Sequence, residues 1–146
     1  MGAITQSAFG SLTTALSTEL NSLANGAYTA ASGAISNSAG SLYGGFRLGV
    51  TFGTAPSAGG WVGVYLLTQY DGSNYADGGS SPSIPQPELL VASFTLRSVT
   101  TAQLLDSPRV AVPPGSWKLV AFNGAGQAFP ASGATVKYTL WSETVA

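Results

Sequence analysis

The sequence predicts an all-β fold: an antiparallel β-sandwich, jelly-roll-like, with a short helical arm at its N-terminus. Three observations predict it. Several short segments alternate apolar with polar or small residues, the period of a half-buried strand. No helix-period stretch of crossover length lies between them, which disfavours a parallel sheet. Leucines recur at helical spacing only near the start of the chain. A sheet with one apolar face must bury it, and a second sheet packed against it is the natural solution.

Leu12, Leu16, Leu20 and Leu23 follow one another at spacings of four, four and three, which places them on one helical face. Ser11 is available as a cap, though no acidic residue three positions on completes a capping box, and Asn25-Gly26 is a stop signal. The spacing predicts a helix over 11–24 within an arm of residues 1–26, ahead of a sandwich domain of residues 27–146. So narrow a stripe on a nearly uncharged helix is marginal alone in water. It must be buried, either on its own sandwich or on a partner. From Ala30 to Ser41 the chain is largely Ala, Ser and Gly, a linker or a small-residue strand.

The strands follow. Phe46, Leu48, Val50 and Phe52 alternate with Arg47, Gly49 and Thr51, a half-buried strand. Trp61 to Leu67 is apolar on both faces, as in a central strand covered on two sides or a strand at a subunit contact. Leu90, Ala92, Phe94 and Leu96 form one face of a strand over 89–97. A short strand over 107–112 leads into Pro113-Pro114-Gly115, a turn, because proline cannot donate a ladder hydrogen bond. Trp117 to Asn123 returns as its partner, and Thr135 to Trp141 is the last strand.

Composition narrows the function classes. With no cysteine, disulfides and thiolate metal sites cannot operate; with no histidine, serine–histidine triads and histidine-based switches are excluded. Carboxylate-only chemistry stays formally open. However, Glu19, Asp71, Asp77, Glu88, Asp106 and Glu143 form no tight pair along the chain, which is read as non-enzymatic, with no cofactor and no metal. Charged residues make up 8% of the chain, against about 25% in ordinary soluble domains. Arg47, Arg97, Arg109, Lys118 and Lys137 are too scattered to form the basic stripe that nucleic acid requires. No apolar run reaches membrane-spanning length, and no signal peptide is evident. A surface so poor in charge does little to resist self-association. It favours a protein packed against others over a secreted domain with a hydroxyl-rich surface.

Two loops are candidate contact surfaces. In the segment 71–79, Asp71, Asn74, Tyr75 and Asp77 make the most polar stretch of the chain. Asp71, Ser73 and Asp77 offer oxygens to calcium, but the spacing departs from the helix-flanked calcium loop, and Asp-Gly and Asn are plain turn formers. Pro82, Pro85 and Pro87 stiffen the next stretch, which lowers the entropic cost of docking, although a simple connector accounts for them at least as well. Trp61, Trp117 and Trp141 lie on strands, where packing is a better account of them than a sugar platform.

Val64-Tyr65-Leu66-Leu67, Asp71-Gly72-Ser73-Asn74-Tyr75-Ala76-Asp77-Gly78, Val112-Pro113-Pro114-Gly115-Ser116-Trp117-Lys118, Gly126 to Gly133 and Val136-Lys137-Tyr138 carry a likeness. Over Leu42 to Glu143, about two thirds of the chain, the sequence resembles small virion structural proteins of tailed bacteriophages. The resemblance implies a capsid decoration (cement) protein bound on the outer shell across capsomers, often as a dimer or trimer. Its partners would be the major capsid protein or other virion proteins. Its location would be the virion surface, with the host cytoplasm during assembly. A tail- or fibre-associated carbohydrate- or receptor-binding module is the alternative. The resemblance supplies no catalytic residues. The leucine arm, Leu12, Leu16, Leu20 and Leu23, is a candidate docking element on its own pattern, and the resemblance does not supply that role.

Overall fold

A computed structural model describes residues 4–8, 10–79 and 84–145. The strands are β1 (Ile4–Gln6), β2 (Thr13–Leu16), β3 (Ile35–Asn37), β4 (Tyr43–Val50), β5 (Trp61–Thr68) and β6 (Leu90–Thr95). They continue as β7 (Gln103–Asp106), β8 (Val110–Ala111), β9 (Gly115–Gly124), β10 (Thr135–Trp141) and β11 (Glu143–Val145). One sheet has the order β2-β10-β4-β7, with β8 also on β4; the other has the order β3-β9-β5-β6. β1 and β11 form a separate two-stranded ribbon, and every pairing among the described residues is antiparallel.

The two sheets share one apolar core. Phe46, Leu48 and Val50 of β4 and Val136 of β10 meet Val62, Val64 and Leu66 of β5 and Trp117, Leu119 and Ala121 of β9. Trp117 is its centre, edge-on to Phe46 at 6.4 Å and to Tyr138 at 5.5 Å. Each such aliphatic or aromatic side chain removed from water contributes about 1.5–3 kcal/mol. The period-two alternation thus builds the two-sheet core that it predicts.

The predicted N-terminal helix is not there. Residues 13–16 are a strand on β10, followed by a single 3-10 turn at Thr18–Leu20; with another at Pro87–Leu89, these are the only helical elements among the described residues. The reason is tertiary. β-branched Thr13 and Thr14 suit a strand, and the edge of β10 supplies the backbone partners that an isolated helix would have to find within itself. Leu16 ends the strand facing inward, and one tight turn returns Leu20 to the same side. Both are fully buried in the chain's own core, with Leu23 half-buried against it. A four-residue leucine spacing is satisfied equally by strand-then-turn. The segment forms the edge of a sheet and is not a separable helical arm.

The Ala/Ser/Gly stretch after it becomes an irregular edge along β9. Thr29 N–H donates to the Ala121 carbonyl while Ala121 N–H donates to Thr29 Oγ1 at 2.9 Å. Ser32 and Leu119 repeat the exchange, with Leu119 N–H reaching Ser32 Oγ at 3.0 Å. Side-chain hydroxyls replace backbone carbonyls there, which is why composition alone reads as linker.

Three buried amides tie the loops down. Asn37 donates to the carbonyls of Ser41 and Pro113 and accepts from Ser41 N–H. Gln103 pairs with both backbone groups of Arg97. Asn123 donates to the Leu23 and Gln127 carbonyls and accepts from Ala125 N–H. Paired in this way, they avoid the penalty of an unmade hydrogen bond in the interior.

Candidate functional site

The outer face of the β2-β10-β4-β7 sheet is an open trough. Along β4 the outward positions are Tyr43, Gly45, Arg47 and Gly49, so two of the four have no side chain. Register sets their neighbours: Arg47 stands between Lys137 and Asp106, Gly49 between Thr135 and Leu104, and Gly45 opposite Thr139. Arg47 Nε binds Asp106 Oδ1 at 2.6 Å across the floor. Two shallow hollows, of about 310 and 360 Å³, share Leu12, Arg47 and Asp106; one runs on to Gly45 and Trp141, the other to Gly49 and Leu104. Leu104 is 86% exposed and Leu12 43%. For a leucine on a regular strand to be so bare is unusual, because apolar area left in water is area a partner can cover.

The opposite sheet has its outer face covered by the chain itself. Tyr65, Leu67 and Val120 form a second cluster under Tyr28, Ala31, Tyr75, Leu89 and Phe122. This accounts for β5 being apolar on both sides: it is a central strand packed twice within one chain. Tyr28 contacts Phe122 at 4.8 Å and Tyr65 at 5.8 Å, and Trp61 contacts Phe122 at 5.0 Å. Burial raises the Tyr65 hydroxyl above its ordinary value, with Tyr28 adding to the effect.

The loop 71–79 folds onto this covered face. Asp71 accepts from the backbone N–H groups of Asn74 and Ser73 and from the Asn74 side-chain amide. Those bonds, Asn74's backbone contact first, hold the Asp71 carboxyl below the usual carboxylate range. Its oxygens serve the turn. Asn74 and Asp77 are exposed, while Tyr75 is half-buried, donating to Ser116 Oγ at 3.1 Å with Lys118 Nζ 4.5 Å over its ring. Tyr70, just before the loop, is 85% exposed.

Of the predicted prolines, Pro85 is buried, Pro87 is exposed at the start of its 3-10 turn, and Pro82 lies outside the described residues. Pro85 and Leu67 close over Gly78, where a Cβ would come within 2.7 Å of the leucine, so the two loops meet over β5. Of the predicted leucines, Leu16 and Leu20 face the core, and Leu12 is the one that reaches an open surface. Sequence reasoning missed Gly45, Gly49, Leu104, Arg47, Asp106 and Lys137 as a site. The legible signal was glycine recurring on the polar side of a strand, at a spacing that clears a channel.

No known protein family matches the chain, and no curated protein does.

Proposed function

We propose that this chain is a structural virion protein, a capsid decoration (cement) protein that stabilises a phage head by binding across capsomers. The carrying observation is the trough on the β2-β10-β4-β7 sheet: a glycine-floored groove crossed by the Arg47–Asp106 ion pair, with Leu104 and Leu12 exposed beside it. A partner that covers those leucines gains apolar burial, while the paired charges on the floor offer it polar contacts. The virion-like segments 64–67, 71–78 and 112–118 support the choice of partner. Repetition over a shell turns modest single contacts into firm attachment.

The test is sedimentation of purified chain with shells lacking it. Saturable co-sedimentation is expected, and Leu104→Glu, which places a charge beside the groove, abolishes it. Full occupancy by that variant would overturn the trough as the contact surface.

A tail- or fibre-associated carbohydrate- or receptor-binding module is the second reading. It is favoured by one observation: Tyr70 stands almost bare beside the 71–79 loop, as a ring that stacks on sugar would. Glycan-array binding that is lost in Tyr70→Ala would support it. No binding with or without chelator would remove it.

A further inference from the structure

We infer that β6 is a self-association edge: two copies of this chain pair their β6 strands antiparallel about a two-fold axis, joining two four-stranded sheets into one. The inference goes beyond the shell reading and does not depend on it.

β6 ends the β3-β9-β5-β6 sheet and, among the described residues, pairs only with β5. Thr95 lies opposite Trp61, and Leu96 N–H donates to the Gly60 carbonyl. In an antiparallel ladder the bonding positions alternate. Ala92, Phe94 and Leu96 therefore turn their backbone groups toward β5, and Ser93 and Thr95 turn theirs outward. Both residues are exposed.

Edge strands of monomeric proteins are blunted by lysine, proline, inward charge or bulges. Leu90–Thr95 contains no charge and no proline, and its bulge, opposite Val64/Tyr65, lies at the Leu90 end, leaving Ala92–Thr95 regular. Two other edges are dressed: β9 beyond β3 by the Thr29 and Ser32 hydroxyls, and β7 by Asp106 in its ion pair with Arg47.

Charge complementarity selects a second copy as the occupant. Glu88 stands just before β6 and Arg97 just after it. Glu88 has no bonding partner among the described residues, and Arg97's guanidinium reaches only the Ala102 carbonyl, at 3.3 Å. Two-fold antiparallel pairing brings the Glu88 end of one strand beside the Arg97 end of the other, twice over, as an isologous interface requires. Parallel pairing would set like charges together. Leu90, half-exposed at the same end, gains cover from the partner.

The experiment is sedimentation equilibrium of the full chain over micromolar to submillimolar concentrations. The wild type is expected to be dimeric. Ser93→Pro removes an N–H that β5 does not use, so it gives a folded monomer with unchanged β circular dichroism; if it fails to fold, Thr95→Lys gives the same reading. Arg97→Glu or Glu88→Arg alone weakens the dimer by about tenfold or more, and the double reversal restores it. A wild type that stays monomeric throughout overturns the inference, as does a dimer that persists in the folded edge variant or a double reversal that does not restore. A monomer that still coats shells sinks the pairing alone, whereas a dimer indifferent to shells sinks the shell reading alone.

Discussion

On one sheet the outward side chains Tyr65, Leu67, Val120 and Phe122 pack against Tyr28, Tyr75 and loops supplied by the same chain; on the other, the outward positions Gly45, Arg47 and Gly49 floor an open trough that, among the described residues, only Leu12 and Trp141 overhang at its margin. Both sheets have the same strand count along their main path and the same core between them. They differ in what their third layer is made of. The covered face draws its third layer from residues 26–34, 69–79 and 84–89, whereas the open face has no such layer among the described residues. A face that the chain covers contributes to stability; one that it leaves bare is free to contribute to contact.

The sharpest way to break this comparison is a charge on each face. Val120→Asp buries an unpaired carboxylate under the aromatic cover and is expected to cost more than about 4 kcal/mol, enough to unfold the chain in thermal denaturation. If it melts like wild type, the face is not covered. Leu20→Ala comes next, at about 2–5 kcal/mol in denaturant unfolding. A cost near zero would return the leucine to a dispensable arm. On the open face, Leu104→Glu should change stability by no more than about 0.5 kcal/mol, while shell attachment is lost.

The smallest effect is confined to the 71–79 loop. Asp71's lowered pKa means that the folded loop favours the charged carboxylate, so its ordering is fully present above the ordinary carboxylate value and is lost as pH falls through the lowered one. In an acid NMR titration, the amide shifts of Ser73 and Asn74 should move together with the Asp71 carboxyl. Asp71→Asn should remove that transition without disturbing the core. Shifts that stay flat on acidification would detach the carboxylate from the turn.

Legibility in the sequence followed backbone periodicity. The strand predicted at Thr135–Trp141 keeps those bounds, because alternation there has no competitor. The leucine stripe misled because spacing of four does not distinguish a helix from a strand closed by one tight turn, and only the waiting edge of β10 decides. β7 was invisible, since Gln103-Leu104-Leu105-Asp106 puts a leucine outward and a glutamine and a leucine inward. The stretch 107–112 is a strand only at Val110–Ala111; Ser107 instead uses its hydroxyl to accept from Phe46 N–H. The trough was half-legible: its glycines were in plain view, but its neighbours come from strands distant in sequence, and register alone unites them.

The amides Asn37, Gln103 and Asn123 do inside this protein what ion pairs do in many others: they hold loop to strand with directional bonds. Amides neither titrate nor attract counterions. A fold locked by them keeps its shape across wide swings of ionic strength, from the interior of a cell to dilute water outside it.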